Sequence, residues 1–152
     1  MESIKVIFLD IDGVLNDIRT KSTTMMGFKF IDTSKILRLR SIVEATGAKI
    51  VLSSDWRYDR EDPILNSDFL ELRERLAKHN LTFYDFTPEI DWNSRGLEIQ
   101  TWLEAHPEVS QYVILDDRDD MEPNMEHLIQ TTMLHGLTDR LTKRAIAFLN
   151  GV

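Results

Sequence analysis

Strand-length apolar runs that stop abruptly on acids or hydroxyls recur along this chain. The first, Ile4 to Leu9, is nearly unbroken and rich in β-branched residues, the pattern of a strand covered on both faces, and it stops at Asp10-Ile11-Asp12-Gly13. Ala48 to Leu52 reads as a second such strand and stops at Ser53-Ser54-Asp55, and Tyr112 to Leu115 as a fourth that stops at Asp116-Asp117. Leu81 to Phe86 reads as the third, closed by Thr87-Pro88, and Thr131 to Leu134 as a short fifth. Between them lie helical patterns. Ile36, Leu39 and Val43 are spaced for a helix capped by Asp32, Thr33 or Ser34 and stopped by Gly47. Phe69, Leu72 and Leu76 mark a helix over 68–80, and Ser94 caps one carrying Leu97, Ile99, Trp102 and Leu103, stopped by His106-Pro107. Thr138 caps a last helix with Leu141, Ala145 and Phe148 on its inner face. Strands alternating with helices imply βαβ crossovers, an α/β class and a largely parallel five-stranded sheet. Open sheets of this kind bind ligands outside the carboxyl ends of their strands, so the three polar strand exits are expected to converge.

The length, 152 residues, fits one domain over 1–152, with an irregular flap at 14–31 where no helical period appears. A net charge of −8 argues against a broad electrostatic footprint for nucleic acid or anionic membrane, though a local basic site stays open. The chain has no cysteine, which excludes disulfides, thiolate metal sites and thiol nucleophiles and fits a reducing compartment. No stretch approaches the roughly 20 apolar residues of a spanning helix, and the N-terminus has no basic leader. The expectation is a cytoplasmic, soluble protein without a membrane partner.

Chemistry must then come from carboxylates, hydroxyls and cations. Asp10 and Asp12, two residues apart at a strand exit, can project to the same side and meet one bound group. Like-charge repulsion raises at least one of the pair while a nearby cation lowers it, so one can stay ionised while the other carries a proton. That pairing suits nucleophilic attack with leaving-group protonation; the alternative is an Asx turn capping backbone groups. Asp116 and Asp117 add hard oxygen ligands suited to magnesium. Arg95, in the first turn of a helix, opposes the helix dipole and so favours an external anionic partner. Arg57 either holds a substrate phosphate as a fork-like donor or pairs with a nearby acid on the surface. Asp120 either joins the metal site or belongs to a solvated acidic loop. Trp56 and Trp92, in loops near these residues, either stack on a base or seal the core, whereas Trp102 lies on an apolar helix face.

Asp10-Ile11-Asp12-Gly13-Val14-Leu15 after an apolar strand resembles the first signature of the haloacid dehalogenase (HAD) superfamily of phosphotransferases. Ile50-Val51-Leu52-Ser53 resembles the second, Arg95 opening a helix the third, and Leu115-Asp116-Asp117 the fourth. The resemblance implies a three-layer Rossmann-like fold and magnesium-dependent phosphomonoester hydrolysis through an aspartyl-phosphate. It assigns attack on phosphorus to Asp10, proton transfer to Asp12, a hydroxyl for a phosphate oxygen to Ser53 and a supporting cation to Arg95. Gly13 would bring backbone N–H groups to the phosphate, and Ser54 is a second, weaker hydroxyl donor. The metal set would be Asp10, the Asp12 carbonyl and Asp116, with Asp117 supporting.

Residues 14–32 and 87–94 leave no room for a large cap domain, so the site is expected to be open to bulky phosphates. The set Leu52-Ser53-Ser54-Asp55-Trp56-Arg57, Arg95 to Leu103, Leu115-Asp116-Asp117 and Gly136-Leu137-Thr138 looks like the phosphatase domain associated with RNA-repair proteins. It is distantly similar to the phosphatase half of polynucleotide kinase-phosphatase. This implies a phosphorylated substrate at a nucleic-acid end. A phosphatase of small nucleotides or other metabolites and a noncatalytic metal- or phosphate-binding module remain as alternatives.

Overall fold

Side chains of the first strand alternate between two cores. In the computed structural model, which describes residues 2–64, 66–90 and 94–152, β1 (Ile4–Leu9) sends Ile7 and Leu9 to one face of the sheet and Val6 and Phe8 to the other, all fully buried. A strand dry on both faces must be central, and β1 is. The five strands, β1, β2 (Lys49–Leu52), β3 (Phe83–Phe86), β4 (Val109–Asp116) and β5 (Leu128–Gln130), are ordered β3-β2-β1-β4-β5 and pair in parallel throughout.

Helices cover both faces, as parallel crossovers require. The larger core joins Ile7, Leu9, Ile50 and Leu52 to the inner stripes of α1 (Thr33–Thr46), α2 (Asn66–Ala77) and α4 (Asp139–Leu149). The smaller joins Phe8, Val51 and Ile114 to Ile99 and Trp102 of α3 (Arg95–Glu104). There Phe8 meets the Trp102 ring edge to face at 5.5 Å. The layers are therefore α/β/α, with α3 alone on the second face among the described helices. Ser94 and Thr138 cap α3 and α4 as their sequence positions predict, accepting from the N–H groups of Leu97 and Leu141.

Several boundaries differ from expectation; the fourth strand, for one, runs Val109–Asp116 and not Tyr112 to Leu115. The fifth strand is Leu128–Gln130, not 131–134, because pairing with Ile114, Leu115 and Asp116 sets its register. Thr131 adds one more bond to the Asp116 carbonyl, after which Gly136 N–H closes a turn on Thr132 and leaves Leu134 exposed. The second helix ends at Ala77; Asn80 takes a left-handed conformation, Leu81 bonds back to the Leu76 carbonyl, and β3 begins only at Phe83. Asp55–Glu61 forms a 3-10 turn that local periodicity did not reveal.

Chain order reverses between β1 and β4: the crossovers from β1 through β2 to β3 run one way, and β4 and β5 lie on the other side. This switch point opens a crevice at the carboxyl ends of the two strands. Residues 14–32 enter it from β1 through turns and a lone bridge between Thr23 and Lys29, with no inserted cap domain. No helix among the described residues is long and apolar enough to cross a membrane.

Candidate active site

The sheet ladders carry on one residue past the strands and so fix the first side chains of the crevice. Asp10 N–H donates to the Leu115 carbonyl at 2.9 Å and Ser53 N–H to the Leu9 carbonyl at 3.0 Å, which holds Asp10, Ser53 and Asp116 side by side at three adjacent strand ends. Carboxylate oxygens of Asp10, Asp116 and Asp117 all lie within 4.8 Å of one another. Asp10 is 4% exposed and Asp116 fully buried. Burial, and then the charge of Asp116, push the Asp10 carboxyl well above the usual carboxylate range, against the opposing pull of Arg95. The same two causes, in the same order, raise Asp117.

One cation faces the three acids. Arg95 opens α3, and its Nη1 lies 2.8 Å from Asp116 Oδ2 and 3.3 Å from Asp10 Oδ2, while Nη2 reaches Asp55 Oδ1 at 3.2 Å. Burial works against its charge, but Asp10 and Asp116 outweigh that and hold the guanidinium above its ordinary value. The helix can approach this closely because residue 96 is glycine: a Cβ there would lie 2.7 Å from the carbonyl oxygens of Asp120 and Glu122. Two buried carboxylates and the part-buried Asp117 outnumber the one guanidinium that pairs with the cluster among the described residues, and hard oxygen donors so arranged fit a magnesium ion.

Ser53 sits where a hydroxyl was expected. It is fully buried, and its Oγ has no hydrogen-bond partner among the described residues, an arrangement that suits an oxygen-rich ligand. Ser53→Ala removes a hydroxyl that bonds to nothing in the ligand-free protein. The thermal unfolding midpoint should therefore not fall, whereas an oxyanion such as inorganic phosphate bound in the crevice should be held less tightly as one donor is lost.

Asp12 stands apart from the three-acid cluster. Its two oxygens accept from different donors, Asn16 Nδ2 at 2.9 Å and Trp56 Nε1 at 3.0 Å, which together fix the plane of an exposed carboxylate. Asn16 is fully buried and also donates to the Phe30 carbonyl, and so ties the Asp10–Gly13 turn to the following loop. Sequence reading passed over Asn16; its place four residues after Asp12, in a turn, was the available signal.

The remaining candidates take up other tasks. Gly13 has φ of 83°, and a Cβ there would meet Asp117 Oδ2 at 2.6 Å, so glycine is required for close approach of the two loops. Its N–H donates to Asn16 Oδ1 and is not presented to the crevice. Ser54 Oγ caps the 3-10 turn by accepting from Trp56 N–H. Arg57 is neither a free phosphate donor nor a surface partner: 1% exposed, it pairs with Glu98 at 2.7 Å and donates to the carbonyls of Ser53, Ser54 and Thr87. Its five N–H groups brace the second strand exit against α3 and the chain after β3. Asp120 binds Arg118 at the surface and does not join the carboxylate cluster. Trp56 is nearly buried and lies 6.4 Å from Phe30 in a stacked arrangement, while Trp92 falls outside the described residues. Asp55 was not foreseen as a partner of Arg95, since nothing local links residues 40 apart.

A family model described as the HAD domain in Swiss Army Knife RNA repair proteins matches residues 6–141 of the chain. No curated protein matches it.

Proposed function

Because the chain belongs to the family of HAD domains in Swiss Army Knife RNA repair proteins, we propose that it is a magnesium-dependent phosphomonoesterase acting on terminal phosphates of nucleic acid. The observation that carries this reading is the meeting of Asp10, Asp116 and Asp117 with Arg95 and the unpartnered Ser53 hydroxyl at the switch point of the sheet. Those groups match the needs of phosphoryl transfer: a nucleophile, positive charge for equatorial oxygens, a neutral donor and a separate proton carrier.

In the proposed reaction an Asp10 oxygen attacks phosphorus and the bond to the leaving oxygen breaks. Asp12, oriented by Asn16 and Trp56, gives that oxygen its proton. A water then attacks the Asp10 acyl phosphate, loses a proton to Asp12 and regenerates Asp10 with release of inorganic phosphate. Arg95 and Ser53 hold the non-bridging oxygens during both steps. The side chains of Asp10, Asp116 and Asp117 with the Asp12 carbonyl would hold the metal. Bound there, magnesium would keep Asp10 ionised and neutralise charge on the phosphoryl group.

A cation at this site has a measurable consequence for stability. Asp10 and Asp117 have raised pKa values in the folded protein, so the fold retains protons that the unfolded chain releases above about pH 4. Their stabilising contribution is complete below the unfolded pKa and is lost as pH rises through the raised folded values. The midpoint gained on adding magnesium to chelator-treated protein should therefore be larger at about pH 7.5 than at about pH 5, where protons compete more strongly for the raised carboxylates. Equal gains at both pH values, read by thermal denaturation, would count against the site.

The substrate class is tested with a panel of 3′- and 5′-phosphorylated oligonucleotides, mononucleotides and sugar phosphates. Preference for the oligonucleotides supports end processing. Activity confined to the small esters rejects it in favour of a metabolite phosphatase, and no hydrolysis of any ester with magnesium present favours a noncatalytic module.

A further inference from the structure

Beside Asp12, on the side facing residues 14–32, the described residues Asp12, Phe28, Lys29, Trp56, Asp59 and Asp68 line a cavity of about 370 Å³. Small-molecule sites commonly span about 300–1,000 Å³, mostly apolar with a few polar groups to fix orientation. Here Phe28, half exposed at the end of the Thr23–Lys29 turn, and Trp56 provide aromatic surface. Asp68 is the unexplained member. In the first turn of α2 it is 2% exposed, and its Oδ1 is buried with no hydrogen-bond partner among the described residues. A buried, unpartnered carboxylate oxygen is costly to a fold, and a cavity at its side offers the missing donor. Asp59, whose carboxyl is raised first by burial and then by Asp68, lies on the same wall.

The cavity shares Asp12 with the reaction site, and Trp56 Nε1 ties its wall to Asp12 Oδ2 at 3.0 Å. A leaving group that takes the Asp12 proton therefore lies at the edge of this space. Three acids, Asp12, Asp59 and Asp68, line the space against one cation, Lys29, whose Nζ donates to the Asp17 carbonyl, so it repels a second phosphate and suits an uncharged group with a flat ring and hydrogen-bond donors; on an oligonucleotide that group is the terminal nucleoside, not the phosphodiester beyond it. We infer that the cavity holds the nucleoside attached to the scissile phosphate, its ring against Phe28 and Trp56 and its sugar hydroxyls or base amine donating to Asp68. This rests on the phosphatase reading and adds to it the group recognised beyond the phosphate.

The test compares kcat/KM for nucleoside monophosphates, in whichever of the 3′ or 5′ series is hydrolysed, with that for para-nitrophenyl phosphate, which has a ring but no donors. In Asp68→Leu the preference for adenosine monophosphate over the aryl ester should fall by about tenfold to a hundredfold, the loss expected for a hydrogen bond to a charged acceptor, and Asp68→Asn should fall less. In the unsubstituted protein, 2′-deoxyadenosine monophosphate and the purine riboside monophosphate lacking the amine separate the sources of the donor: the one that costs preference identifies the contact. A general folding defect lowers both substrates together and leaves the ratio unmoved, and an unmoved ratio overturns the inference. So does hydrolysis of the aryl ester with no preference for nucleotides, which leaves the phosphatase reading intact. Failure to hydrolyse any ester with magnesium, phosphorylated oligonucleotides included, removes the phosphatase reading itself.

Discussion

Asp10→Asn is expected to lower magnesium-dependent phosphate release by about 10³-fold or more while making the cation-free protein harder to unfold. The two effects have opposite signs because one carboxylate does both things. An amide cannot form the acyl phosphate, so the two-step route is lost. The same change removes one of three acids clustered near the Arg95 guanidinium, two of them buried, and Arg95 keeps its contacts with Asp116 and Asp55. Steady-state phosphate release together with urea unfolding in chelator reads both. A variant that loses activity and also unfolds more readily would point to a structural role for Asp10 and against the nucleophile.

Arg95→Met is expected to have the largest effect on stability, about 3–5 kcal/mol in the cation-free protein near neutral pH, the usual result of stripping a buried charge network of the cation that bridges it. Methionine keeps much of the volume, so the cost lies in the charge. The loss should shrink towards about pH 5, because Asp10 and Asp117, already raised by burial and by Asp116, take up protons and relieve the repulsion. Lysine at this position restores charge but not a fork that spans Asp10, Asp116 and Asp55, and should recover only part of the stability. Urea midpoints at the two pH values decide the matter: a destabilisation that does not vary with pH would mean that lost packing, not lost charge, is responsible.

Much of this site was legible along the chain because its residues follow strands, and strand exits are marked by an abrupt change from apolar to polar. Leu9 to Asp10, Leu52 to Ser53 and Leu115 to Asp116 each carry that mark, and parallel pairing of β1 with β2 and β4 sets them side by side. Arg95 was visible as a cation at the wrong end of a helix dipole, a local cost that only a distant anion could offset. What was hidden depends on contacts that no periodicity records. Arg57 reads as either a phosphate donor or a surface ion-pair partner until the 3-10 turn folds it under the second strand exit, where carbonyls and Glu98 take up its donors. Gly13 reads as a phosphate loop, but its positive φ serves the close approach of Asp117, and Asn16 takes its N–H. The fifth strand was misplaced by three residues because its register is imposed by β4, and a three-residue edge strand in which only Ile129 is buried has little pattern of its own.

The nature of the reaction turns on whether Asp10 becomes covalently bound to phosphorus. Rapid acid quenching during turnover, borohydride reduction of any acyl phosphate to the alcohol and mass spectrometry of the peptide containing Asp10 answer this directly. Conversion of Asp10 to homoserine, dependent on substrate and magnesium and absent in Asp10→Asn, is the expected result. Steady phosphate release under the same quench conditions, with Asp10 unmodified or with another carboxylate reduced in its place, would contradict it.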